Sequence, residues 1–249
     1  MNRFFTLKGQ KVLMPFLMLG DPSFEDSLKI IQSAIDAGVK ALELGIPFSD
    51  PLADGPIIQA SAERALSAGM NFQRCLTLFA KIRRMTDIPI AILTYTNLLY
   101  HRGFDKGLKE LHQAGVDALL LADLSLDEAL KLKPSYEKNQ MGQVFLIAQN
   151  TDLPRAKMIH AQSSGFTYLI NSMGTTGMKA GTPQETLDRL SLLKQEGDAP
   201  IFVGFGIHQK KQAEILWNHG ADGVIVGSQL IDMISRHEAI APYLQGLLS

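Results

Sequence analysis

A chain of 249 residues, 46% apolar and 20% charged, is long enough to bury one large α/β barrel or open-sheet domain, or two small domains. Its formal charge of -1 gives no support to a nucleic-acid surface, and no run of about 18 apolar residues is present to form a membrane span. Cys75 is the only cysteine, and the six histidines form no metal-spaced cluster with it, which excludes an internal disulfide and argues against a structural zinc site.

The opening string MNRFFTLKGQKV has no apolar signal core, so a cytoplasmic protein is expected. Residues 11–19 read as a first strand, punctuated by Gly20, Asp21 and Pro22. Ser23 with Asp26 marks a helix entry, with Leu28, Ile31 and Ile35 on one face and Gly38 as the stop. Residues 41–56, ALELGIPFSDPLADGP, then change character at Glu43. A short apolar run is a buried strand, and a carboxylate inside one is costly unless it is satisfied or used. Helices follow over 58–67 and 71–85.

Strands at 89–95 and 118–122 precede helices at 104–114 and 125–132, with Pro134 ending the latter and irregular structure expected before Gly142. A strand at 143–148 and a helix at 153–163 come next, then a strand at 166–170 and a loop at 172–181 with three glycines. Such a loop is expected at the surface with freedom to move. Thr182, Pro183 and Glu185 open a helix running to about residue 195. Strands at 201–204 and 223–226 are followed by helices at 209–218, 230–236 and 240–248.

A weak repeat recurs as AGVKALEL, AGVDALLL, SGFTYLI and HGADGVIV. Gly38, Gly115, Gly165 and Gly220 in these strings suit a helix terminus with positive φ. The strands are continuous apolar runs, as in a parallel sheet covered on both faces. Eight strand and helix pairs in this length predict a single-domain (β/α)8 TIM barrel over residues 1–249, with a doubly wound open sheet as the alternative.

No Walker signature or dinucleotide GxGxxG opens the chain. GFG at 204–206 and VGS at 226–228 instead lie at the ends of the seventh and eighth strands. In a barrel these adjoin, and a helix starting near Ser228 can aim its free N–H groups at the same anion. Each glycine taken singly is only a turn; together, with residues 174–177 able to close above, they point to phosphate.

Glu43 belongs at the mouth of the second strand, where Phe16, Leu42, Leu44, Leu93 and Leu121 can raise its pKa and let it carry a proton near neutrality. Asp54, on a more polar loop, stays ionised and accepts a hydrogen bond. The plainer readings are a structural hydrogen bond for Glu43 and a turn cap for Asp54. Asp50 sits in the turn string SDP, and Asp123 holds a loop backbone. Tyr95 and Tyr168 bring hydroxyls within reach of the mouth or simply pack.

LELGIPFSDPLADGP at 42–56, FLMLGDP at 16–22, FTYLIN at 166–171, GTTG at 174–177, GFGI at 204–207 and VGS at 226–228 together resemble the tryptophan synthase alpha subunit family over essentially the whole chain. The resemblance implies a barrel enzyme that cleaves indole-3-glycerol phosphate to indole and glyceraldehyde 3-phosphate, with no metal or organic cofactor in this subunit. It maps the catalytic acid onto Glu43, the catalytic aspartate onto Asp54, a site tyrosine onto Tyr168, and the phosphate contacts onto Gly177, Gly206, Gly227 and Ser228. Phe16, Leu93, Leu121, Leu146 and Phe205 are candidates for an indole pocket, with core packing as the plainer reading; Tyr95 and Thr176 complete the expected substrate contacts.

The family further implies a beta-subunit partner carrying pyridoxal phosphate in an alpha-beta-beta-alpha complex, with indole passing between subunits and residues 50–54 and 172–181 relaying closure. Two departures stand out. Only about ten residues precede the first strand, and Ser172 occupies a position where many members have arginine. Two rival readings remain at this level: a barrel isomerase or synthase acting on another phosphorylated metabolite, and a phosphate-binding regulatory subunit with little turnover of its own.

Overall fold

The computed structural model describes residues 2–171, 184–204 and 206–249. Among these described residues nine short strands make one parallel sheet: β1 (Val12–Met18), β2 (Leu42–Gly45), β3 (Ile90–Thr94), β4 (Ala118–Leu121), β5 (Gly142–Gln143), β6 (Phe145–Ile147), β7 (Thr167–Ile170), β8 (Ile201–Gly204) and β9 (Gly223–Val226). The hydrogen-bonded order is β5-β4-β3-β2-β1-β9-β8-β7-β6. β5 pairs with β4 while β6 pairs with β7, so residues 142–147 are a single stave that closes the sheet. Val144 lies at the break and donates its N–H to Leu119 at 3.0 Å. The fold is a TIM barrel, and the strand expected at 143–148 is present in two pieces.

The helices are α1 (Phe24–Asp36), α2 (Pro56–Ser67), α3 (Phe72–Met85), α4 (Thr96–Arg102), α5 (Phe104–Gln113) and α6 (Leu126–Lys131). They continue with α7 (Lys133–Lys138), α8 (Leu153–Gln162), α9 (Gln184–Leu193), α10 (Lys210–Asn218), α11 (Ser228–Ser235) and α12 (Ala241–Leu248). Local chemistry starts them: Ser23 accepts from the Asp26 N–H at 3.1 Å, Asn71 from Arg74 at 3.0 Å and Asp152 from Arg155 at 2.8 Å. Each bond satisfies one orphan donor of a first turn.

Gly38, Gly115 and Gly220 take the expected positive φ, at +95°, +99° and +100°. Gly165 is a correction, because it is not among the positive-φ residues. Its lack of a side chain serves close packing, since a Cβ there would meet Ala118 and Val144 at 3.1 Å. α6 ends before Pro134 as expected, but the irregular structure expected beyond it is the helix α7, with Pro134 in its first turn, a position that needs no N–H from it.

The floor of the barrel is closed by a 3₁₀ helix, Arg3–Leu7. Phe4 is fully buried, with ring centroids 4.9 Å from Phe166 and 6.0 Å from Phe202. Arg3 donates to the Asp117 carboxylate at 2.7 Å and Asn2 to the Asp117 carbonyl at 2.6 Å. The same carboxylate accepts from Arg83 at 2.8 Å and from the Ile90 N–H at 2.9 Å. These bonds offset the cost of burying the Asp117 carboxylate, and they tie the short N-terminal segment to β3 and β4. Among the described residues no helix is long and apolar enough to cross a membrane.

Candidate active site

The opposite end, at the C-terminal ends of the strands, opens into a cavity of about 740 Å³. Phe16, Glu43, Leu93 and Tyr168 rise into it from the strands; Asp54, Gly206, Gly227 and Ser228 border it from the loops above. Sequence reasoning placed all eight at the mouth, and the barrel brings them together.

Glu43 sits in β2 with Phe16 and Ala91 beside it in register on β1 and β3. It is buried, at 1% exposure, and its Oε1 has no hydrogen-bond partner among the described residues. An ionised carboxylate there would lose its hydration without replacement. Burial, with a smaller repulsion from Asp54, pushes its pKa up to about 8, so at neutral pH Glu43 holds a proton. That is the state a general acid requires.

Asp54 is half-buried in the loop between β2 and α2. Burial raises its pKa, and a hydrogen bond from Tyr95 works in the opposite direction by favouring the ionised form. The loop is therefore less solvated than expected. Tyr95 itself is buried and does not border the cavity. Its hydroxyl accepts from the Ala53 N–H at 3.1 Å, and its ring stacks on Phe48 at 5.2 Å. Tyr95 thus positions the loop that carries Asp54. Asp50 is exposed and accepts from Ser49 within the turn, while Asp123 accepts from the Thr96 N–H at 2.9 Å and fastens a loop as expected.

Tyr168 is buried beside Glu43; burial raises its pKa, and the Glu43 charge adds to the effect. Gly204 makes room for it, since a Cβ there would lie 2.2 Å from the Tyr168 hydroxyl. Gly204→Ala is therefore expected to cost about 1 to 3 kcal/mol by overpacking, measured by denaturant unfolding; unchanged stability would show that Tyr168 does not need this space.

The expected indole contacts divide. β3–β4 pairing sets Leu93 against Leu120 and Leu121 against Thr94. Successive strand residues face opposite sides, so the residue sharing the inward face with Leu93 is Leu120, and the expected Leu121 is off by one. Leu146 is in register with Tyr168, yet neither it nor Leu121 borders the large cavity; both border a separate hollow of about 210 Å³ between β4, β6 and their helices. Ser172, Thr176, Gly177 and Phe205 lie outside the described residues.

The segments after β8 and β9 bring main-chain groups to the edge of the same cavity. Gly206 has φ +70°, and α11 begins at Ser228 with Gly227 as its N-cap and no side-chain cap. Its first-turn N–H groups have no partner within the helix, and the helix dipole adds positive potential there. Gln149, His208 and Asp232 also border the cavity and escaped the sequence reading, because none sits in a glycine string or an apolar strand. Among the described residues no group of three or more His, Cys, Asp or Glu is placed to hold a metal.

The family described as tryptophan synthase alpha chain matches residues 5–244. A tryptophan synthase alpha chain from Methanothermobacter thermautotrophicus is 44% identical over 222 residues, spanning 89% of this chain and 82% of that protein. One from Prochlorococcus marinus is 41% identical, spanning 95% and 85%. Among solved structures, a chain of the tryptophan synthase a2b2 complex of the hyperthermophile Pyrococcus furiosus superposes with a TM-score of 0.90 at 35% identity, covering 96% of this chain and 98% of that one. The doubly wound alternative is thereby set aside. A match of this extent to the family profile and to relatives covered over most of their length settles the assignment: the chain belongs to the tryptophan synthase alpha chain family.

Proposed function

We propose that this chain cleaves indole-3-glycerol phosphate to indole and glyceraldehyde 3-phosphate in a retro-aldol reaction, with Glu43 as the proton donor. The observation that carries the reading is the buried Glu43 carboxyl, held protonated near neutrality at the base of a cavity sized for a drug-like ligand. Protonation of the indole carbon bearing the glycerol chain makes the ring an electron acceptor. Asp54 accepts from the indole N–H as positive charge develops there. Loss of the proton from the hydroxyl on the adjacent chain carbon then forms the aldehyde, and the electrons of the breaking carbon-carbon bond restore the ring. Glu43, by then ionised, is assigned as the base that takes up that proton.

Gly206, Gly227 and Ser228 hold the phosphate through main-chain N–H groups and the serine hydroxyl, with Gly177 assigned to the same role by family resemblance. Ser228→Ala is expected to raise KM by about tenfold to a hundredfold, the loss of one hydrogen bond to a charged group. An unchanged KM in steady-state cleavage would remove Ser228 from the phosphate contact.

By likeness to the Pyrococcus complex, the chain is assigned a beta-subunit partner in an alpha-beta-beta-alpha assembly. Pyridoxal phosphate belongs to that partner, and no cofactor is assigned to this subunit. The direct test is indole release by the purified chain from indole-3-glycerol phosphate, alone and with its cognate beta subunit. Cleavage is expected; none in either state would favour a regulatory phosphate-binding role.

A further inference from the structure

We propose that His208 is a further substrate-binding residue of this cavity, gripping the phosphate through Nε2. The inference rests on the phosphate reading given above. Charge is the first argument. The described side chains bordering the cavity include three carboxylates, Glu43, Asp54 and Asp232, and no lysine or arginine. Of these described residues, His208 alone can become positively charged, and it lies two residues beyond Gly206, at the end assigned to the phosphate.

The second argument is the setting of the ring. His208 Nδ1 lies 3.0 Å from the Gly206 carbonyl oxygen, which can only accept, so Nδ1 carries hydrogen. Nε2 is left as the nitrogen able to address a ligand. If it also carries hydrogen, the ring is a cation, and a charged N–H to phosphate is a strong, short bond. The turn is already formed: Gln212 donates to the Gly206 carbonyl at 3.1 Å and accepts from the His208 N–H at 3.0 Å. Tyr243 of α12 donates to the His208 carbonyl at 3.0 Å. A ring held by its own turn loses little freedom on binding.

Other charged groups set the background. Asp232 on α11 is engaged by Arg236 at 2.9 Å. Lys210, Lys211 and Glu214 belong to α10 itself, with Lys210 3.6 Å from Glu214. Glu43 and Asp54 border the same cavity, and the Tyr243 hydroxyl contacts only the His208 backbone in the bond described.

Two substitutions separate the nitrogens. His208→Asn keeps an N–H near the Nδ1 position and removes Nε2, whereas His208→Gln places a neutral N–H near Nε2. The probes are inorganic phosphate and indole as inhibitors of cleavage by the full chain. His208→Asn is expected to weaken inhibition by phosphate about fivefold and raise KM in parallel, with indole inhibition changed by less than about twofold. His208→Gln is expected to recover part of the loss. Equal weakening of phosphate and indole would overturn the inference. Unchanged phosphate inhibition in His208→Asn with a clear loss in Ser228→Ala would also overturn it while sparing the phosphate reading. No loss in either variant would overturn both.

Discussion

Glu43→Gln is expected to reduce single-turnover cleavage of indole-3-glycerol phosphate by about 10² to 10⁴-fold, the usual contribution of a positioned acid. Glutamine has nearly the same shape and polarity but no proton that it can release. It therefore removes the chemistry while leaving the cavity wall formed by Phe16 and Leu93. Inhibition by inorganic phosphate should persist, because the groups assigned to the anion lie on the loops after β8 and β9. Ordinary cleavage in this variant would exclude Glu43 as the acid, whatever else the cavity does. Asp54→Asn is expected to lose less, since it removes charge opposite the indole nitrogen but no proton donor.

The same substitution should change stability in the opposite sense. The Glu43 carboxyl is raised in the folded chain from its ordinary 4.5 to about 8. Between those values the unfolded chain has released the proton and the folded chain retains it. The folded state then binds more protons, so its stability falls as pH rises. The slope is on the order of 1.4 kcal/mol per pH unit, and above about pH 8 the penalty is fully developed. Glu43→Gln removes this titration. Its stability relative to the unsubstituted chain is therefore expected to rise by several kcal/mol, on the order of 3 to 5, between pH 5 and pH 9. Denaturant unfolding at the two pH values measures the change, and pH-independent packing effects cancel in the difference. A constant difference would mean that Glu43 titrates alike in both states. Under the proposed function, this cost is what a proton donor held at the cavity imposes on the fold.

The legible parts of this molecule are those set by strong local patterns. Apolar runs at 201–204 and 223–226 coincide with β8 and β9. Glu43 was conspicuous because a carboxylate inside an apolar run has few explanations, and Gly206, Gly227 and Ser228 followed from their places at strand ends. Other features depend on tertiary contacts that local pattern does not encode. The split of the fifth stave at Val144 is visible only when β5 is paired with β4 and β6 with β7. The shift from Leu121 to Leu120 is a matter of register, where one residue reverses the face. Phe4 lies in a segment too short to show periodicity, and its role emerges when it meets Phe166 and Phe202. Tyr95 was assigned to the ligand but turns to the loop, because its hydroxyl meets the Ala53 N–H first.

The most direct measurement is an infrared difference titration of the carboxyl groups, comparing the unsubstituted chain with Glu43→Gln. One carboxyl signal that stays protonated at pH 7, is lost near pH 8 and is absent from the variant is the expected result. Identical titrations for the two proteins, with every carboxyl ionised by about pH 6, would place Glu43 in the ordinary range and contradict its role as the proton donor.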